Sequence, residues 1–176
     1  FAAMKTDGRW VDAMIVKAPV SMKLALGENP KQVYHDRDET PVTRMATAAI
    51  IRENLRKAVE YGEKMDRAAQ DEDADPPDYD AKLEALLPVV RGELPVHIHA
   101  HRADDIATGL RIAREFSLKC VIVHGTEGHL LPDLLAQEKA AEAVCSLLGR
   151  RAGMGRGMEG VCVCVCVCRS YIFWFS

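Results

Sequence analysis

The sequence predicts an α/β fold with a parallel sheet, and three features indicate it. Residues 94–99 and 119–124 are short apolar runs with the length of buried strands. The segment between them has apolar residues at helical spacing, which predicts one amphipathic helix. Two buried strands joined by one helix are typical of a β–α–β unit, whose strands lie parallel and whose sheet is covered by helices.

The first part of the chain predicts another strand. Residues 20–26 are apolar and lead into Gly-Glu-Asn-Pro at residues 27–30, a combination typical of a turn. A polar loop is expected over residues 31–41. Lys23 lies within the strand candidate, which is unusual unless its amine reaches a partner or the surface.

The middle of the chain predicts two helices and a linker. Thr43 has the residue type of a helix N-cap, and a long helix is expected over residues 44–65. Its apolar positions recur at helical spacing and are Ala48, Ile51, Leu55, Ala58 and Val59. Residues 70–80 are acidic and contain prolines, which predicts a solvated linker. Residues 81–87 predict a short helix that ends near Pro88.

The helix of the β–α–β unit has a clear start and a clear core face. Asp104 and Asp105 open it, where acidic side chains suit the positive end of the helix dipole. The apolar stripe expected to face the sheet consists of Ile106, Leu110, Ala113 and Phe116. A further helix is expected over residues 132–143.

Composition and charge argue against several classes of protein. The chain has 176 residues and a formal net charge of −3, which offers little attraction for nucleic acid or an anionic membrane. No apolar run reaches the roughly 18 residues of a membrane span, and no signal-peptide pattern is present. We therefore expect a cytoplasmic protein that binds neither nucleic acid nor a membrane, and we leave its oligomeric state open. The start at Phe1 is compatible with a processed or truncated chain.

The last part of the chain does not resemble an α/β domain. Residues 138–176 contain a glycine- and arginine-rich stretch and then a strict Val-Cys repeat that includes Cys162, Cys164, Cys166 and Cys168. Period-2 alternation would suit a strand. A repeated GT dinucleotide read in frame also encodes Val-Cys, so we interpret this tail as frame-shifted or intronic and expect disorder. A metal-binding or redox tail and an ordinary tail are the alternatives.

Five of the six histidines lie between His97 and His129. His99 and His124 end two successive strands of the predicted sheet. Neighbouring parallel strands lie about 4.8 Å apart, so both side chains can converge on one ion. Neutral imidazole binds Zn²⁺ and related ions, which makes a metal site one interpretation. Hydrogen-bonded core or surface histidines are the other. His97, His99 and His101 would share a face if the strand continued through all three.

Other polar residues flank these histidines. Arg102 is a candidate to bind a substrate carboxylate through a bidentate contact. His129 and Glu127 lie in the loop after the second strand. There they would contact substrate, orient His124 or remain exposed.

Four segments of the chain resemble the amidohydrolase superfamily. They are MKLALGENPKQVY, TRMATAAIIRENLRKAVEY, KLEALLPVVRGELPVHIHAHRADDI and VIVHGTEGHLLPDLLA. The resemblance covers roughly residues 1–137. Within the superfamily, the chain is most similar to the imidazolonepropionase-like and prolidase-like branch. It implies a (β/α)₈ barrel of the TIM type, of which residues 1–137 would form strands four to six with their helices. A complete barrel typically needs about 250 residues.

The resemblance also implies a metal site with one or two divalent ions, with zinc expected. Members of the family use a His-x-His pair on the first strand, histidines that end the fifth and sixth strands, and an Asp that ends the eighth. His99 matches the fifth-strand ligand and His124 the sixth-strand ligand. Lys23 lies near the position of a bridging ligand on the fourth strand, and His101 matches a substrate-contacting position. The first-strand pair and the eighth-strand Asp have no counterpart here.

The implied reaction is metal-assisted hydrolysis of a carbon–nitrogen bond in an amide, cyclic amide or dipeptide. The general base of the family is the eighth-strand Asp, so no catalytic base is assigned within this chain. We therefore expect the parent protein to be the hydrolase and the chain alone to be inactive. The alternative is a non-catalytic or decayed β/α fragment that pairs with a partner or is unstable alone, because three parallel strands leave open edges.

Overall fold

A computed structural model describes residues 1–138, together with the backbone of residues 141–146 and 163–166. The described strands are β1 (Ala3–Met4), β2 (Ile15–Lys17), β3 (Met22–Ala25), β4 (Val96–Ala100), β5 (Cys120–His124), β6 (Ala141–Ser146) and β7 (Val163–Cys166). The described helices are α1 (Val11–Met14), α2 (Glu28–His35), α3 (Arg44–Gln70), α4 (Ala81–Val90), α5 (Ala103–Glu115) and α6 (Pro132–Gln137), with a 3₁₀ turn at Gly128–Leu130.

The main sheet is parallel over most of its width, as the sequence predicts. Its strand order is β3-β4-β5-β6-β7, in which neighbours from β3 to β6 run parallel and β7 pairs antiparallel to β6. β1 and β2 form a separate antiparallel ribbon. The three strands predicted from the sequence correspond to β3, β4 and β5. The α/β class with a parallel sheet is therefore confirmed, whereas closure into a barrel stays a prediction.

The core lies between this sheet and the helices α3 and α5. Ile98 of β4 and Ile122 of β5 are 1% and 0% exposed. From α5, Ile106, Leu110 and Ala113 are buried, and Phe116 is half-buried, as the predicted stripe requires. The helix expected from residue 44 begins there and is capped by Thr43, whose hydroxyl accepts a hydrogen bond from the Ala46 N–H at 3.1 Å.

The loop expected over residues 31–41 is partly a helix. α2 occupies Glu28–His35, so the Gly-Glu-Asn-Pro sequence begins a helix rather than a turn. Pro30 fits because the first turn of a helix does not use its backbone N–H groups, and Glu28 lies at the positive end of the helix dipole. Gly27 precedes the helix with φ of 85°, which a side chain would disfavour.

Three helix ends also differ from expectation. α3, expected over residues 44–65, continues to Gln70. α4 continues through Pro88 to Val90. Its last turn is still held, because the Arg91 N–H donates to the Leu87 carbonyl and the Pro88 carbonyl accepts from the next loop. The helix expected over residues 132–143 ends at Gln137.

The strands β6 and β7 lie in the range that the sequence analysis assigned to the tail. They show backbone pairing with the main sheet over residues 141–146 and 163–166. Apart from Glu138, the remainder of the predicted tail lies outside the described residues. Within the described part of the chain, none of the helices combines the length and the apolar character needed to cross a membrane.

Candidate metal centre

Three histidines meet at the C-terminal edge of the parallel sheet. His99 lies in β4, His101 directly follows β4, and His124 is the last residue of β5. One ring nitrogen from each lies within 4.8 Å of the others. The ring centroids of His99 and His124 are 4.5 Å apart, and that of His101 lies 4.9 Å from each. Three imidazoles at this spacing form a candidate site for one metal ion.

Strand register brings these residues together. Ala100 of β4 pairs with His124 of β5, so the two strands end at the same level. His99 and His101 are two residues apart and therefore project to the same side. The sequence reasoning anticipated the placement of His99 and His124, and the structure adds His101 to the same group. His97, although on the same strand, lies outside the cluster, with its Nδ1 3.3 Å from the Ser21 hydroxyl.

The loops that follow β4 and β5 are joined by hydrogen bonds. The backbone N–H groups of Gly125 and Glu127 donate to the carbonyls of Ala100 and His101 at 3.0 and 2.9 Å. The Glu127 carboxylate accepts from the Ala103 N–H at 2.8 Å and so caps the start of α5. These bonds hold the two loops, and with them His101 and His124, at a defined separation.

The backbone at His124 is in an uncommon conformation. Its φ is 77°, and the following Gly125 has φ of 46°. A non-glycine residue in this region is disfavoured by its Cβ, and such strain occurs preferentially at functional sites. The turn redirects the chain at once, so that Thr126 returns toward β4. Its hydroxyl lies 2.8 Å from Nδ1 of His101.

His99 is the buried member of the cluster, with 7% of its surface exposed. Its Nε2 lies 3.0 Å from the side-chain amide nitrogen of Asn29 in the first turn of α2. Its carbonyl accepts from the Leu26 N–H at 2.9 Å, which joins the end of β3 to the end of β4. The ring is therefore held by its own strand and by the start of α2.

The electrostatic environment keeps two of these rings neutral. Burial, followed by the nearby His124, His101 and Lys23, lowers the pKa of His99 from 6.5 to about 4. Burial, with His101 and Lys23 nearby, also lowers the pKa of His124. At neutral pH both imidazoles are therefore unprotonated and carry the lone pair that a metal ion requires.

Lys23 lies beside the cluster. It pairs in register with His97, so it shares a sheet face with His97 and His99, and its side chain is exposed. Its charge contributes to the lowered pKa values of His99 and His124. The resemblance places Lys23 near a bridging ligand on the fourth strand of the barrel. In this structure Lys23 lies on β3, the neighbour of β4, and so is near the site.

The structure does not bring Arg102 and His129 into the three-histidine cluster. Arg102 is exposed and binds Asp104 through two hydrogen bonds of 3.0 and 3.1 Å, which raise the pKa of Arg102 and lower that of Asp104. His129 is exposed, and its Nδ1 lies 3.2 Å from the Thr126 carbonyl. Both lie in the loops that carry the cluster, so a substrate role for them stays a prediction.

Sequence reasoning did not identify Asn29 or Thr126. For Asp105 it predicted a position at the start of α5 but not its ion pair. Asn29 was assigned to a turn, and its only signal was a position just after a buried strand. Asp105 opens α5 as predicted but is 4% exposed, and the Nε of Arg44 donates to its two carboxylate oxygens at 3.0 and 3.3 Å. No local pattern links Asp105 to Arg44, because sixty-one residues separate them.

Comparison with known proteins supports one superfamily. No family model matches the chain. Amidohydrolase tasK of Hapsidospora irregularis is 30% identical over 122 residues, which cover 65% of this chain and 12% of the relative. The crystal structure of an amidohydrolase from Thermotoga maritima MSB8 is 43% identical with a TM-score of 0.79. That match covers 85% of this chain and 39% of the solved one.

The chain is therefore similar in sequence and in structure to amidohydrolases, and it spans well under half of each. Both comparisons support the predicted resemblance to the amidohydrolase superfamily. The imidazolonepropionase-like and prolidase-like branch stays a prediction.

Proposed function

We propose that this chain is part of a metal-dependent hydrolase that cleaves carbon–nitrogen bonds in small molecules. The observation that carries the proposal is the cluster of His99, His101 and His124 at the C-terminal edge of a parallel sheet. In a (β/α)₈ barrel this edge is where active sites form. The similarity to two amidohydrolases agrees with that placement.

The residues present fit a divalent ion. His99 and His124 are the proposed ligands, because their lowered pKa values keep them neutral and their nitrogens lie within 4.8 Å of each other and of His101. His101 is a candidate third ligand, and Lys23 is a candidate bridging ligand. Histidine nitrogen donors suit zinc, which we propose as the metal, with one or two ions in the intact enzyme.

A bound zinc ion would lower the pKa of a bound water to about 7 and polarise the scissile carbonyl. The chain's own residues would bind and orient the substrate. Arg102 carries a guanidinium at the rim that can exchange its exposed Asp104 partner for a substrate carboxylate. His129 offers one ring nitrogen in the loop after β5, and His101 would contact substrate if it does not bind the metal.

The intact enzyme is proposed to be a longer protein that closes the sheet into a (β/α)₈ barrel. The chain spans 39% of the solved amidohydrolase and 12% of the curated relative. We propose that the His-x-His pair and the general-base Asp implied by the resemblance come from the rest of such a protein. The chain alone is accordingly expected to bind metal without turning over an amide or dipeptide substrate.

Zinc titration of the purified chain tests the proposal. We expect His99→Ala and His124→Ala each to weaken Zn²⁺ binding by about tenfold or more, which is roughly 1.4 kcal/mol. His101→Ala should have a similar effect if His101 is a ligand. X-ray absorption should show nitrogen neighbours at about 2.0–2.1 Å.

The matched control is His97→Ala, on the same strand but outside the cluster. It should leave the affinity unchanged. Equal affinity for the wild type and His99→Ala would contradict the proposed metal site. If His101→Ala retains wild-type affinity while His99→Ala and His124→Ala do not, His101 is not a ligand, and substrate contact stays its proposed role.

A further inference from the structure

We propose that Asn29 is a positioning residue for His99, and that the Arg44–Asp105 pair holds Asn29 in place. This inference rests on the proposed metal site, because it states how the chain prepares one ligand of that site. It concerns residues on α2, α3 and α5, outside the histidine cluster itself.

The contact between Asn29 and His99 restricts which ring nitrogen is free. The Asn29 amide nitrogen lies 3.0 Å from Nε2 of His99, a residue with 7% of its surface exposed. With Nε2 occupied, Nδ1 is the nitrogen that remains for a metal ion. That role requires the proton to lie on Nε2. A half-turn of the Asn29 amide places Oδ1 where Nδ2 lies, and Oδ1 then accepts a hydrogen bond from Nε2–H.

The start of α2 is held against α5 by close packing. A Cβ atom built on Gly27 would lie 2.9 Å from a carboxylate oxygen of Asp105, so there is no room for a side chain between the Gly27 backbone and that carboxylate. Gly27 also has φ of 85° and lies two residues before Asn29. Asp105 therefore sets the position of the backbone from which the Asn29 side chain extends.

Arg44 joins the three helices at this point. Its Nε donates to both carboxylate oxygens of Asp105 at 3.0 and 3.3 Å, and its Nη2 donates to Glu28 at 2.7 Å. Glu28 is the residue before Asn29. One guanidinium on α3 thus binds the first turn of α5 and the first turn of α2. A planar group with several donors can make both contacts at once, which an ammonium cannot do equally well.

A second ion pair in the same helices allows a matched control. Arg52 of α3 binds Glu115 of α5, with Nη2 2.9 Å from one carboxylate oxygen. It links the same two helices but does not contact Gly27, Glu28 or Asn29. If Arg44 merely stabilised the packing of α3 on α5, loss of Arg52 should have the same consequences as loss of Arg44.

The first measurement uses the whole chain without metal. Long-range ¹H–¹⁵N spectra of the histidine rings report which nitrogen of His99 carries the proton. We expect a single tautomer in the wild type and a mixture in Asn29→Leu, which has a similar size and no hydrogen bond. Identical His99 ring signals in the two proteins would overturn the positioning role.

The second measurement is Zn²⁺ affinity. We expect Asn29→Leu to weaken binding about 10- to 100-fold, as loss of an orienting partner usually does. Asn29→Asp should stay near the wild type, because its carboxylate still accepts from Nε2–H. Arg44→Lys keeps a charge for Asp105, so the chain should fold, and it should weaken binding several-fold. Arg52→Lys should have no effect on affinity.

A double-mutant cycle tests whether Arg44 acts through Asn29. Arg44→Lys should weaken Zn²⁺ binding in the wild type and add nothing in Asn29→Leu. Additive effects, or an equal effect of Arg52→Lys, would overturn the role given to Arg44. If the wild type binds no Zn²⁺, the proposed function fails, and the metal-free spectra still decide the role of Asn29. If the wild type binds through His99 and Asn29→Leu binds equally well, only the positioning role fails.

Discussion

The pKa of His99 gives the metal-free chain a defined dependence of stability on pH. Burial and nearby positive groups lower this pKa to about 4 in the folded state, against 6.5 for an ordinary histidine. Between these values the unfolded chain binds a proton that the folded chain does not. The contribution of His99 to stability is therefore complete above about pH 6.5 and is lost as the pH falls toward about 4.

Urea unfolding at several pH values, with a chelator present, measures this contribution. We expect the free energy of unfolding of the wild type to fall between pH 6.5 and 4 more steeply than that of His99→Gln. Some dependence should persist in the variant, because burial also lowers the pKa values of His97 and His124. Parallel curves for the two proteins would show that His99 titrates as an exposed histidine does.

Individual ligand candidates were predictable because they mark the ends of strands. His99 and His124 each close an apolar run, so their convergence needed only the assumption that the strands are parallel neighbours. Asn29 was not predictable in the same way, because its partner lies 70 residues away in the chain and the sequence around Asn29 predicts a turn. Thr126 was missed for a similar reason, since its contact with His101 depends on the sharp turn at His124.

At the scale of elements, Glu127 links two β–α loops by capping a helix that does not follow it in sequence. Its carboxylate accepts the Ala103 N–H at the start of α5. Loss of a capping acceptor typically costs about 1 kcal/mol, so Glu127→Ala should lower the free energy of unfolding by about that amount. Hydrogen exchange of the Ala103 amide should become faster.

Glu127→Gln is the matched control, since its side-chain oxygen can accept the same bond, and it should keep most of the stability. If Ala and Gln destabilise the chain equally, the charge near the helix dipole matters more than the hydrogen bond. If neither has an effect, the two loops are held by their backbone bonds alone.

Local sequence pattern was enough to predict one of these helices but not another. α3 was predictable at its start because Thr43 is an N-cap and the apolar residues after it keep helical spacing over several turns. α2 was not, because eight residues with no buried member lack an apolar stripe and contain Pro30 near the start. Its helical form depends on its placement between β3 and α3, where Glu28 binds Arg44.

At the scale of the whole molecule, the sheet and its covering helices should unfold together. Ile98 lies in the middle of β4, is 1% exposed and packs near Gly109 of α5 and Leu26. Ile98→Ala should lower the free energy of unfolding by about 2–5 kcal/mol, as large-to-small core changes do. Urea unfolding followed by circular dichroism measures it.

The control for Ile98→Ala is Val16→Ala, which truncates a residue that is 64% exposed on the β1–β2 ribbon. It should change stability by no more than about 0.5 kcal/mol. A broad transition without cooperativity in the wild type would favour the alternative of a fragment that is unstable alone.

The sequence by itself determined the order of β3, β4, α5 and β5, the core face of α5, and the positions of His99 and His124 at strand ends. These features depend on periodicity and on residue types at strand ends, which are local. Only the tertiary structure decided that His101 joins the same cluster, that Asn29 holds Nε2 of His99, and that Asp105 is a buried partner of Arg44. Each of these depends on contacts between residues far apart in the chain, whose geometry follows from strand register and helix packing rather than from any local pattern.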